Sequence, residues 1–158
     1  MKIKITHNEF QALRTSIEKE YKGFGTVRCP FLKRGVVFNA KGLDHIKSKR
    51  WNHARNTHDQ YTRFKLLHLA PQVIKMSATL QGMEKGNRFE RVKVNSRWEQ
   101  KMVSVSYYEF IAVISDCRVR IIVKQIEGSM PYFWSIVPYW RQTSHRGKKM
   151  FEGNSEED

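Results

Sequence analysis

The chain has 158 residues and a net charge of +14, the length of one ordinary domain and a strongly basic balance. Its hydrophobic content of 40%, with nine Phe, six Tyr and four Trp, excludes a disordered chain. The charge is uneven: residues 1–151 hold 29 basic against 11 acidic side chains, and the last seven residues hold the other four acids. Such a body repels itself until it meets a polyanion, with nucleic acid ahead of an anionic membrane or an acidic protein. No apolar run approaches the ~20 residues of a membrane span, so no membrane partner is expected. The opening "MKIKITHNEF" lacks the apolar core of a signal peptide, so the expected location is cytoplasmic. Cys29 and Cys117 form neither a metal pattern nor a disulfide framework and read as two buried thiols.

In chain order, "MKIKI" alternates as a short strand does. "THNEFQALRTSIEKEY" opens with Thr6 and Glu9 at capping-box spacing and places Phe10, Leu13 and Ile17 on one helical face. Four Gly and Pro residues make "KGFGTVRCPFLKRG" a loop, and "VVFNA" a short strand after it. Two short helices are expected over about 43–54 and 59–69, with a further turn after Pro71. From residue 87 the period falls to two. "FERVKV" is a strand candidate, and "MVSVSYYEFIAVI", "VRIIVKQI" and "YFWSIVPYW" are spaced as an antiparallel meander. Helices followed by a meander predict an α+β fold, with one basic domain over 1–142. Residues 143–158 read as a flexible tail, acidic at its end and serving solubility.

Residues 42–71 concentrate four of the six histidines (His45, His53, His58, His68) among Lys47, Lys49, Arg50, Arg55 and Arg63. If 43–54 is helical, His45, Lys49 and His53 share a face and Arg50 sits at its edge. A solvated basic face, a phosphate-binding surface and a site for phosphodiester chemistry all fit this composition. His58 reads as a turn residue and His68 as a half-buried structural histidine.

The order of "VVFNAKGLDHI", a basic helix, "RFKLLHLAPQVI", a long apolar strand, "IIVKQI" and "FWSIV" resembles the phage-type members of the barnase–EndoU–colicin–RelE group of ribonuclease toxins. The resemblance covers about residues 36–138. It implies helices packed on a curved antiparallel meander and RNA cleavage without metal or cofactor. It also implies a toxin or effector of bacterial or phage origin, with an acidic antitoxin or immunity protein as partner. In such chemistry a base takes the ribose 2′-OH proton, the oxygen attacks phosphorus, and an acid protonates the leaving 5′-oxygen. Imidazole serves as acid or base near neutral pH, and guanidinium supplies permanent charge.

His45 matches the family's histidine after the strand and Arg63 the arginine of its second helix. Ser135 matches the hydroxyl of its last strand. Arg50 and His53 complete the expected catalytic set. Lys47, Lys49, Arg55, Lys124 and Trp134 are the expected nucleic-acid contacts, with Trp134, Tyr139 and Trp140 able to stack on bases. Alternation along "YFWSIVPYW" puts Trp134 and Ser135 on opposite faces. Against the enzyme stands a non-catalytic, basic nucleic-acid-binding module of phage or mobile-element origin, whose histidines are only a surface feature. Oligomeric state has no signature in this sequence.

Overall fold

The structure, a computed structural model, describes residues 4–50, 53–139 and 155–158. The fold is α+β, with helices packed on a curled sheet. Helix α1 (His7–Lys22) starts at the capping box: Thr6 accepts from the Glu9 N–H, and the Glu9 carboxylate accepts from the Thr6 N–H. Strands β1 (Thr26–Cys29) and β2 (Arg34–Val37) form a hairpin where the sequence reads as loop. Lys33, in a left-handed conformation, helps turn the chain between them, so the Gly and Pro density marks the turn and hides two short strands. The alternation of "MKIKI" yields no strand over residues 4–6, and residues 1–3 lie outside the described residues.

Helix α2 (Ala40–Lys47) is capped by Asn39, whose side chain accepts from the Gly42 N–H at 3.1 Å. It does not run to residue 54. Strands β3 (Ser48–Arg50) and β4 (His53–Ala54) follow it as a separate two-stranded ribbon. The early stop has a physical cause in Arg55. Its main-chain N–H donates to the Lys47 carbonyl at 2.9 Å, and its Nε donates to the His45 carbonyl at 3.0 Å. These carbonyls belong to the last turn of α2, where no helical partner remains. Helix α3 (Thr57–Leu67) begins at Asn56, and helix α4 (Ala70–Met76) carries Pro71 in its first turn, where a missing N–H costs nothing.

Four longer strands complete the fold: β5 (Gly82–Val94), β6 (Arg97–Ile114), β7 (Cys117–Ile126) and β8 (Tyr132–Pro138). The main sheet runs β1-β2-β8-β7-β6-β5, antiparallel throughout except for the β2–β8 pair. β7 pairs with β6 only from Val105 onward, so the outer halves of β5 and β6 project as a two-stranded arm. Ser115 and Asp116, both at positive φ, turn the chain into Cys117, which is exposed; Cys29 alone of the two thiols is buried. Among the described residues no helix is long and apolar enough to cross a membrane.

Alternation sorts the two faces of the sheet. Phe110, Val119, Ile121 and Val123 pack with Phe10, Ile17, Phe64 and Ile74 of the helices in the main core. Val105, Tyr107, Ile122, Ile126 and Tyr132 form a smaller cluster on the opposite face. Helix α2 lies tightly on β8: a Cβ at Gly42 would collide with the main-chain carbonyl of Phe133. This close approach seats His45 against the sheet.

Candidate functional site

The register of β7 against β8 slips by one residue between Ile122 and Val123, where Ile122 faces Ser135 and Val123 faces Phe133. Trp134 is the extra residue of this bulge. Phe133 and Ile136 therefore both enter the main core, while Trp134 and Ser135 both serve the other side. The sequence expectation of opposite faces fails because strict alternation does not survive a bulge.

Four bases are buried around these residues: Arg55, Arg63, Arg120 and Lys124. Each is tethered to a carboxylate. Arg63 Nε donates to Asp59 at 2.7 Å, one turn away on α3, and Arg55 Nη1 lies 3.6 Å from the same carboxyl. Arg120 Nε lies 2.8 Å from Glu109, and Lys124 Nζ donates to Glu90 at 2.5 Å. A guanidinium has five N–H donors, so the tether uses one side of the fork and leaves the other. Those remaining donors turn to one place. Arg63 Nη1 donates to Ser135 Oγ at 2.6 Å and to the Asp158 carbonyl, and Ser135 Oγ donates to that carbonyl at 2.5 Å. Arg120 Nη1 bonds the Asp158 carboxylate at 2.9 Å. Arg55 Nη2 donates to the Glu157 carbonyl at 2.7 Å.

His45 stacks on Trp134 with ring centroids 3.9 Å apart and planes 17° from parallel. Lys124 Nζ lies 4.0 Å from the Trp134 ring, a cation–π contact in a desolvated setting. Arg55 Nη2 sits 3.1 Å from His45 Nε2. Arginine can only donate, so Nε2 is the acceptor and the imidazole proton resides on Nδ1. Burial, then the charges of Arg55, Arg63 and Lys124, hold the His45 pKa well below its ordinary 6.5, so the ring is neutral at pH 7. Burial, and secondarily Arg63, pull Arg55 down to about 10, which leaves it charged. Burial also lowers Lys124, opposed by Glu90, and lowers Arg63, opposed by Asp59. The hydroxyls of Tyr107 and Tyr132, on the same face, have no hydrogen-bond partner among the described residues.

Beside these groups opens a cleft of about 1000 Å³. Lys41, His45, Lys49 and Arg50 line one side, Arg91 of the β5–β6 arm the other, and Lys124 and Trp134 contribute to its lining.

Of the expected residues, the fold brings together His45, Arg55, Arg63, Lys124, Trp134 and Ser135. Lys47, Lys49 and Arg50 stand at the rim: Lys47 pairs with Glu18, Lys49 is exposed, and Arg50 lies 3.7 Å from Glu157. His53 does not join them. With α2 ended at Lys47, no helical face links it to His45, and it lies exposed on β4 opposite Arg50. His58 and His68 are both exposed, the latter against the half-buried expectation. Trp134 already carries His45 and Lys124, so it is a supporting floor more than an open stacking platform. Tyr139 is partly exposed, and Trp140 lies outside the described residues. The sequence reading passes over Arg120, Tyr107 and Tyr132. Arg120 had a signal: it shares a strand face with Lys124 by period two.

The last four residues, read from sequence as part of a flexible tail, dock on these buried bases through the bonds above, and Glu156 and Glu157 form part of the wall of the adjoining cleft; residues 140–154 lie outside the described residues. No protein-family model, curated protein or solved structure matches the chain.

Proposed function

We propose that the cleft binds single-stranded RNA and cleaves it by attack of the ribose 2′-OH on the adjacent phosphorus. The observation that carries this reading is the convergence of Arg63, Ser135 and Arg120, from three different elements, on the paired oxygens of one acidic residue, Asp158. Those oxygens, one carbonyl and one carboxylate, stand in for the non-bridging oxygens of a phosphodiester. The cationic donors are held in place by Asp59 and Glu109 before any substrate arrives, so they stabilise the dianionic phosphorane with little reorganisation.

His45 is neutral at pH 7 and can accept the 2′-OH proton once Arg55 releases its Nε2 lone pair. Arg55 also holds the Glu157 carbonyl, so an incoming phosphate can draw it from the imidazole. Tyr132 lines the cleft with its hydroxyl buried and unpartnered among the described residues, and in this reading it gives the leaving 5′-oxygen its proton. A toxin or effector role is what the resemblance implies, and the charge of the cleft suits an acidic inhibitor protein as its partner.

One observation favours a second reading. The lone pair a base needs is engaged by Arg55, and each buried cation has a carboxylate, as in a binding surface without catalysis. Incubation with RNA in EDTA separates the two. Products ending in 2′,3′-cyclic phosphate are expected; RNA bound and left intact supports the second reading.

A further inference from the structure

The sequence "SEED" at 155–158 is bound as a ligand is bound. Its four consecutive main-chain carbonyls all accept hydrogen bonds from the cleft. Trp134 Nε1 donates to Ser155 and Glu156 at 3.1 and 3.2 Å, Arg55 to Glu157 at 2.7 Å, and Arg63 with Ser135 to Asp158. Its three carboxylates are also engaged. Glu156 lies between Arg88 and Lys124 at 3.4 and 3.8 Å, Glu157 near Arg50 at 3.7 Å, and Asp158 on Arg120 at 2.9 Å. A regular row of acceptor oxygens with appended negative charge is what a phosphodiester backbone also presents. Every donor assigned above to the substrate phosphate is taken by this segment.

We propose that residues 155–158 are an intramolecular acidic-peptide ligand of the cleft, competing with the anionic substrate for Arg55, Arg63, Arg120 and Ser135. The competition with RNA rests on the reading of the cleft as an RNA site. The peptide binding does not. The segment belongs to the same chain as its site, and covalent linkage of this kind gives an effective concentration on the order of millimolar. Even a peptide with a dissociation constant of roughly 0.1 mM would then weaken substrate binding by about ten-fold. Glu156 contributes least: burial, and then Glu90, raise its pKa, so its charged form is disfavoured where it sits. Asp158, held by Arg120 at its carboxylate and by Arg63 and Ser135 at its carbonyl, contributes most.

The test compares the full chain with its E156Q/E157Q/D158N variant. A charge-matched control, E20Q/E99Q/E127Q, removes three exposed acids elsewhere. Fluorescence anisotropy with a short RNA carrying 2′-deoxy sugars reports binding without cleavage, and a labelled "EGNSEED" peptide reports the peptide site directly. The variant is expected to bind the RNA about ten-fold or more tightly than the full chain, with the control within about three-fold. The peptide is expected to bind the variant and to be displaced by RNA. Peptide binding with no RNA binding by any form upholds the segment as the cleft's ligand and removes the RNA reading instead. An equal gain in the control, or no binding of the peptide, overturns the proposal and leaves the RNA reading standing. Inhibition that appears only at high protein concentration places the contact between copies and overturns the intramolecular device.

Discussion

On one side of β6 and β7, Phe110, Val119, Ile121 and Val123 pack against helices; on the other, Arg120 and Lys124 stand at alternate positions with Ile122 and Ile126. Both faces exclude water, yet only the first does so for stability alone. Burying a base costs several kcal/mol unless it is paired, and pairing seldom returns more than that cost. This face accepts that cost on Arg120 and Lys124, with Arg55 and Arg63 buried beside it, and an anionic segment is held there. The main core shows what the same strands look like when folding is the sole constraint.

The largest break in this comparison comes from the apolar side. Phe110→Ala should lower stability by about 3–5 kcal/mol, since a fully buried aromatic leaves a cavity the helices cannot close. Urea or thermal unfolding measures it, and RNA affinity of the remaining folded protein should be unchanged.

The charged side should behave in the opposite way. The double change Lys124→Met with Glu90→Gln removes a buried pair together, leaving no lone charge. Stability should stay within about 1 kcal/mol of the parent or rise. RNA affinity should fall several-fold, because the cation under the cleft is gone. A loss of stability comparable to Phe110→Ala would make the pair structural.

Acid should act through the charged side as well. Folded His45 titrates well below 6.5, whereas the unfolded chain takes up its proton near that value. Between the two values the unfolded state binds more protons. The contribution of His45 is therefore complete above about pH 6.5 and declines as pH falls below it, by at most about 1.4 kcal/mol per pH unit. Melting temperatures from pH 8 to pH 5 should show this decline, and His45→Gln should flatten it.

The smallest stability effects belong to the rim. Lys49→Ala and Arg50→Ala should leave the melting temperature nearly unchanged, both side chains being exposed. Each should weaken RNA binding and reduce the slope of log affinity against log salt by about one for each phosphate no longer neutralised.

The contrast between faces also explains what was legible in the sequence. Local rules carried the capping box of α1 and the meander, because each is written within a few adjacent residues. His45, Arg63 and Ser135 could be singled out by order, and the fold brings them together. The helix over 43–54 failed because its end is set by Arg55 reaching back to His45 and Lys47, a contact no periodicity encodes. His53 left the site with it. The shared face of Trp134 and Ser135 depends on a bulge, which one strand's sequence does not show without its partner. Arg120 was readable beside Lys124 at i, i+4 on a strand, but a mostly apolar run drew attention to the other face. The docked acidic segment was invisible because its partners are 21 or more residues away, spread over β3, α3, β5, β7, β8 and the residue Arg55 ahead of α3.

The most direct measurement of whether the charged face receives an RNA phosphate is an NMR titration of the guanidinium and imidazole signals. The protein is the E156Q/E157Q/D158N variant, and the ligand is a short RNA made uncleavable by 2′-deoxy sugars. The account predicts saturable shifts of the Arg63 and Arg120 Nε signals and of the His45 ring, stronger than any at the exposed Arg97 on the arm. Shifts confined to such exposed bases, with Arg63 and Arg120 unmoved at saturation, would contradict it.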